Sequence, residues 1–397
     1  MPPEAPPRPT TAVLVAAGAI ALAIAMGVGR FAFTPMLPLM QADGSATLAQ
    51  GAWLAFANYL GYLVGALACS VRAPQPRRAV RVGLVAVAAL TLGMAALHQV
   101  AAWWLLRFGA GVASAVVLVG VAASVPAALA ERGRSAWSGA VFAGVGSGIV
   151  AAGALGWVAG SAAWPPAAGW LALGLLSLLA LPFAWRGMPA GVPAPAASAA
   201  GHAPLGGEGW RLVAVYGVFG FGYIVPATFL PAAARAALPD PRVFGAVWPV
   251  FGFAAAASTL LAAFVLRDLA PRRLWAIAQG VMALGVGVTA LSSGLAALVV
   301  CAVCVGGTFM VATMAGLQEA RRLAGPAAPR WIAAMTAAFA AGQLAGPFAV
   351  NLLAGSHDDG MARASAVAAL LLLLGAAALW SPARTAPAAA PSGGTTR

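Results

Sequence analysis

The chain has 397 residues, of which 62% are hydrophobic and only 8% charged, where soluble domains carry roughly a quarter charged residues. That composition excludes an ordinary water-soluble globule and indicates an all-α integral membrane protein. All 22 basic residues are arginine, giving a formal net charge of +13; their distribution along the chain, described next, points to membrane topology and to no nucleic-acid partner.

Charge clusters cut the chain at intervals close to the ~20 apolar residues a spanning helix needs. This predicts twelve transmembrane helices at 11–38, 50–71, 80–98, 101–129, 136–160, 167–186, 210–235, 244–266, 273–292, 295–320, 330–354 and 362–381. Residues 1–10 form a proline-rich tail, and the first span is too long for a cleaved signal segment, so it is expected to be retained. With a cytoplasmic N-terminus, seventeen arginines fall in the tails and even-numbered loops, and only Arg235, Arg242 and Arg363 on the opposite side. The positive-inside rule then predicts that both termini are cytoplasmic.

Arg30, in Gly27-Val28-Gly29-Arg30-Phe31, is the only charge between Thr11 and Ala42. A cation at that depth is costly and marks a pathway or a binding site by default. In the fourth span Arg107 is followed by no charge until Glu131. Two intramembrane arginines in apolar surroundings suit an anion gripped through the guanidinium. Each has a structural alternative, which for Arg107 is hydrogen bonding to backbone carbonyls of a neighbouring helix.

A shift of 193 to 195 residues superimposes the halves of the chain. Gly27-Val28-Gly29-Arg30 through Leu37-Pro38 falls on Gly220-Phe221-Gly222-Tyr223 through Leu230-Pro231, and Arg72, Arg77 and Arg78 fall on Arg267, Arg272 and Arg273. Trp53 meets Trp248, Trp137 meets Trp331, and Gly148 meets Gly342. A repeat of this kind predicts two six-helix bundles, 11–186 and 210–382, joined by a Pro/Ala/Gly-rich cytoplasmic linker at 187–209, with a disordered tail at 383–397. Parallel repeats of that type place a solute site near the midplane and work by rocking one half against the other.

Duplicated six-helix halves with equivalent arginine-bearing loops resemble the major facilitator superfamily. The segments GVGRFAFTPMLPLM (27–40), WLAFANYLGYLVGAL (53–67), LRFGAGVASAVVLV (106–119), GFGYIVPATFLPAAAR (220–235) and GLQEARR (316–322) are similar to those of its YbfB/YjiJ-type branch. The resemblance implies a multi-pass transporter of the bacterial inner membrane, with helices 1, 4, 7 and 10 lining a central cavity. It therefore implies that Arg30 and Arg107 lie on cavity helices. The loop motif of that superfamily carries an acid where this chain has Cys69, which weakens the N-terminal half of the usual gate.

The expected solute-contacting residues are Arg30, Phe33, Thr34, Asn58, Tyr59, Tyr62, Arg107, Tyr223, Thr228 and Gln343, a few polar groups in an apolar pocket. Asn58 and Gln343 have the alternative of bonding between helices. The expected gating residues are Glu131, Asp268 and Glu319 with Arg72, Arg267 and Arg272, forming inter-helix salt bridges that close the cytoplasmic face. All nine carboxylates fall in tails, loops or span ends, and His98, His202 and His357 in loops or the linker. Cation transport and an intramembrane histidine relay are thus disfavoured, and protons remain one candidate coupling ion.

Glycines from Gly139 to Gly160 in the fifth span read as a close-packing surface. Cys301 and Cys304 form a CxxC without surrounding ligands, so neither a metal nor a cofactor is expected. No HExxH or GxSxG occurs, and no enzyme is expected. The leading reading is a monomeric secondary transporter for a small anionic or carboxylate-bearing organic solute. Broad efflux of apolar compounds and a non-transporting sensor on a transporter fold are the rivals.

Overall fold

The computed structural model describes residues 9–71, 75–189, 205–237, 240, 245–325, 328–353 and 360–381. The expected N-terminal tail (but for its last two residues), most of the linker, the C-terminal tail and the gating residue Arg72 lie outside them. Among the described residues twelve helices are long and apolar enough to cross a membrane. They are numbered here as spans 1 to 12: Thr11–Ala42, Leu48–Cys69, Pro76–Ala96, Val100–Ala130, Ser135–Ser161, Pro166–Gly187, Gly207–Thr228, Val247–Phe264, Pro271–Leu291, Leu295–Ala324, Arg330–Val350 and Gly360–Trp380. Each coincides with a predicted segment. In lipid every backbone polar group must be satisfied within the chain, and helices do this segment by segment.

Up-and-down crossing puts the arginine-bearing ends of the spans on one face, called here the arginine-rich face. Where spans meet most closely, glycine permits the approach. A Cβ on Gly27 of span 1 would fall on the backbone of Gly148 in span 5, and one on Gly252 of span 8 would lie 2.6 Å from the Val150 nitrogen of span 5. Span 5 is therefore wedged between span 1 and span 8, joining the first six helices to the last six along a seam of small residues.

Span 1 is not one uniform helix. Its centre, Ala23–Phe31, is π-helical, between α-helical stretches at Thr11–Leu22 and Phe33–Ala42. Pro35 follows and supplies no N–H, so carbonyls at the end of the π segment lack their usual donor. Such wide turns tend to occur at functional sites. Arg30 is the penultimate residue of this one.

Candidate solute cavity

A cavity of about 720 Å³ lies between spans 1, 2 and 4 on one side and spans 7, 10 and 11 on the other. Its lining runs from Arg30, Tyr62 and Tyr223 at mid-depth to Pro126, Ala127 and Arg321 near the arginine-rich ends of their helices. It therefore opens toward the arginine-rich face.

Arg30 forms the floor and is 3% exposed. Its Nη2 donates to the Tyr223 hydroxyl at 3.1 Å, its guanidinium lies 4.1 Å from the Tyr62 ring centroid, and its Nε has no partner. No ion pair among the described residues involves it. The cation is held by aromatic faces and one hydroxyl, which partly replace water but leave the charge without an anion.

Tyr223 is fixed from three directions. Its ring is stacked between Phe309 (5.7 Å between centroids) and Phe339 (5.5 Å), and its hydroxyl also accepts from Gln343 Nε2. Arg30 and Tyr223 are 193 positions apart, and so are Thr34 and Ala227, whose hydroxyl and carbonyl bond at 3.3 Å. That is the spacing of the sequence repeat, and residues near a pseudo-two-fold axis contact their own counterparts.

Arg107 is also 3% exposed but does another job. Its Nη1 donates to the Gly29 carbonyl at 3.2 Å and its Nη2 to the Arg30 carbonyl at 3.0 Å, with the guanidinium 4.9 Å from the Phe33 ring centroid. Asn58 Nδ2 joins it, donating to the Gly29 carbonyl at 3.2 Å and to the Arg107 carbonyl at 2.9 Å. These donors satisfy the carbonyls released where the π segment ends, so Arg107 and Asn58 tie spans 4 and 2 to the backbone that carries Arg30. Arg107 does not line the cavity.

Beyond the floor the two halves meet directly. The Tyr59 and Thr228 hydroxyls are 2.8 Å apart, Arg235 donates to the Pro38 carbonyl, and Phe56 packs edge-on against Phe348. These contacts, with Thr34 on the Ala227 carbonyl, close the face opposite the cavity mouth. Of the expected solute residues the cavity lining thus contains Arg30, Tyr62 and Tyr223, while Phe33, Thr34, Asn58, Tyr59, Arg107, Thr228 and Gln343 lie outside it.

Of the expected gating charges, Arg272 and Glu319 form an inter-helix ion pair on the arginine-rich face. Arg272 Nη1 meets Glu208 at 2.6 Å and Glu319 at 3.7 Å, Arg322 grips Glu319 through two bonds of 2.8 Å, and Arg211 meets Glu208 at 2.8 Å. This network joins spans 7, 9 and 10, and Arg272 Nε ties it to the Leu379 carbonyl of span 12 at 2.8 Å. Among the described residues exposed Asp268 pairs only with Arg267, at 3.9 Å, and exposed Glu131 has no ion pair. No ion pair among the described residues bridges spans 1–6 to spans 7–12, because the open cavity separates the helix ends there.

Sequence reasoning missed Arg321, Phe309, Thr313 and Thr336 as lining residues. One signal was available, since Phe309, Thr313, Leu317 and Arg321 recur every four residues and so share one face of span 10.

A family model described as "Uncharacterised MFS-type transporter YbfB" matches residues 22–380. The chain belongs to this family of major facilitator transporters. It is a multi-pass membrane protein and a secondary transporter. A mutant of the nucleoside transporter NupG shares the fold, with a TM-score of 0.66, covering 92% of this chain and 99% of that one at 13% identity. In all, 253 chains of solved structures match. No curated protein matches.

Proposed function

We propose that this transporter moves small organic anions with an apolar or aromatic body, using Arg30 as counter-charge. One observation carries the reading: a buried guanidinium at the floor of a large cavity, bonded to a tyrosine hydroxyl and facing no carboxylate among the described residues. A desolvated cation of this kind favours a carboxylate or phosphate ester over a neutral solute. Phe31, Tyr62, Phe309 and Phe339, with the edge of the stacked Tyr223 ring, supply aromatic surface for the rest of the solute.

The positive-inside rule assigns the arginine-rich face to the cytoplasm of a bacterial inner membrane, making the cavity inward-open. Transport then requires the two six-helix halves, 11–186 and 210–382, to rock about the small-residue seam of spans 1, 5 and 8. Rocking breaks the Thr34, Tyr59 and Arg235 contacts and brings the arginine-rich helix ends together. In that closed state Glu131 approaches the Arg272–Glu319 cluster, and this is where its gating role belongs. An anion reaching Arg30 competes for the guanidinium with Tyr223, a residue of the other half, so binding and rocking are coupled.

The apolar lining also favours one rival, efflux of uncharged hydrophobic compounds. Counterflow into liposomes loaded with phenylacetate or with phenylacetamide separates the two. The proposal expects exchange of the carboxylate only, and equal exchange of the amide overturns it.

A further inference from the structure

A second cavity, of about 940 Å³, lies between spans 2, 3 and 4 on the back of the wall that lines the solute cavity. Its lining is mostly small and apolar: Ala68 and Cys69 of span 2, Ala79, Val82, Gly83 and Ala86 of span 3, and Gly109, Val112, Ala113 and Val116 of span 4. Val82 is 61% exposed and Val85, one turn further along the same helix, is also exposed, so this side faces lipid. Its polar residues are Gln75 and Arg78, both at the arginine-rich end.

From its N-cap Gln75 to Ala86, span 3 follows the groove over a rise of about 16 Å. That is close to half of the ~30 Å hydrocarbon thickness, the depth of one leaflet. The cationic mouth thus sits at headgroup level while the Gly/Ala/Val floor ends near the midplane. Arg78 and its neighbour Arg77 are exposed and take part in no ion pair among the described residues. We infer that this groove is a binding site for an anionic phospholipid, one acyl chain lying between spans 3 and 4 and the phosphate on Arg78. Length, polarity and charge agree with a single occupant of the arginine-rich leaflet, and basic pockets between spans on that side suit acidic headgroups. The site shares only Cys69 with the lining of the solute cavity and does not depend on which solute is carried.

The test uses the purified full-length protein in a neutral detergent, with thermal unfolding and native mass spectrometry as readouts. Added phosphatidylglycerol raises the melting temperature and is retained as a bound adduct, whereas phosphatidylcholine of the same chains gives neither effect. Arg78→Gln weakens phosphatidylglycerol binding roughly fivefold, and Ala86→Phe, which fills the floor, abolishes the adduct. Soluble glycerophosphate and inorganic phosphate give no shift. Equal effects of the two lipids, wild-type behaviour of both variants, or a full shift with inorganic phosphate would each overturn the assignment.

Discussion

Replacing Arg107 with methionine distinguishes a backbone anchor from a solute ligand. Methionine retains an apolar stem but removes the bonds to the Gly29 carbonyl (3.2 Å) and the Arg30 carbonyl (3.0 Å). The Gly29 carbonyl keeps Asn58 as a donor, so its loss costs about 1 kcal/mol. The Arg30 carbonyl loses its side-chain donor in a buried setting, at about 1–3 kcal/mol, and the cation on the Phe33 face adds about 1 kcal/mol. Relief of a desolvated charge offsets part of this, leaving a net loss of about 2–3 kcal/mol. The expected result is a clearly lower melting temperature in fluorescence-detected size-exclusion scans. Among the molecules that remain folded, phenylacetate affinity changes less than about threefold. The reasoning fails if Arg107→Met melts like the wild type while affinity drops tenfold or more, since Arg107 would then be a ligand.

Arg321→Gln removes a cation from the cavity mouth without touching the floor; KM for the anion is expected to rise a few fold and become less salt-sensitive, with maximal flux unchanged. Gly146→Leu places a side chain 2.7 Å or closer to the Gly252 carbonyl across the span 5–span 8 seam, so transport is expected to stop or the folded yield to collapse, as read by counterflow and size exclusion. Arg272→Met leaves the fully buried Glu319 with Arg322 alone and Glu208 with Arg211 alone; stability is expected to fall by about 3 kcal/mol, measured by thermal unfolding.

The spans were legible because the bilayer imposes a length and a polarity on each segment, and charge clusters mark the ends. The repeat made Arg30 and Tyr223 counterparts, and the structure adds that they touch, as counterparts near a pseudo-two-fold axis do. The π-helical centre of span 1 left no such mark. GxG and Pro35 permit it, yet its geometry is set by donors from Arg107 and Asn58, which are 78 and 29 residues away from Gly29. For the same reason composition could not separate the roles of the two arginines, because both are lone cations in apolar helices. The charge network on the arginine-rich face depends on which helix ends are neighbours in an open cavity, and that is a property of the tertiary arrangement.

The central claim is that Arg30 receives an anion. Its most direct measurement is the thermal stabilisation of wild type and Arg30→Gln by phenylacetate and by its neutral amide. The glutamine variant removes the charge and about one hydrogen bond while the aromatic clamp on Tyr223 remains, so it should fold. At an effective dielectric near 20 a contact charge pair is worth roughly 4 kcal/mol before desolvation, so affinity should fall on the order of a hundredfold. The account predicts stabilisation of the wild type by the carboxylate alone and none in the variant. Equal stabilisation by carboxylate and amide, or a variant that responds like the wild type, would contradict it.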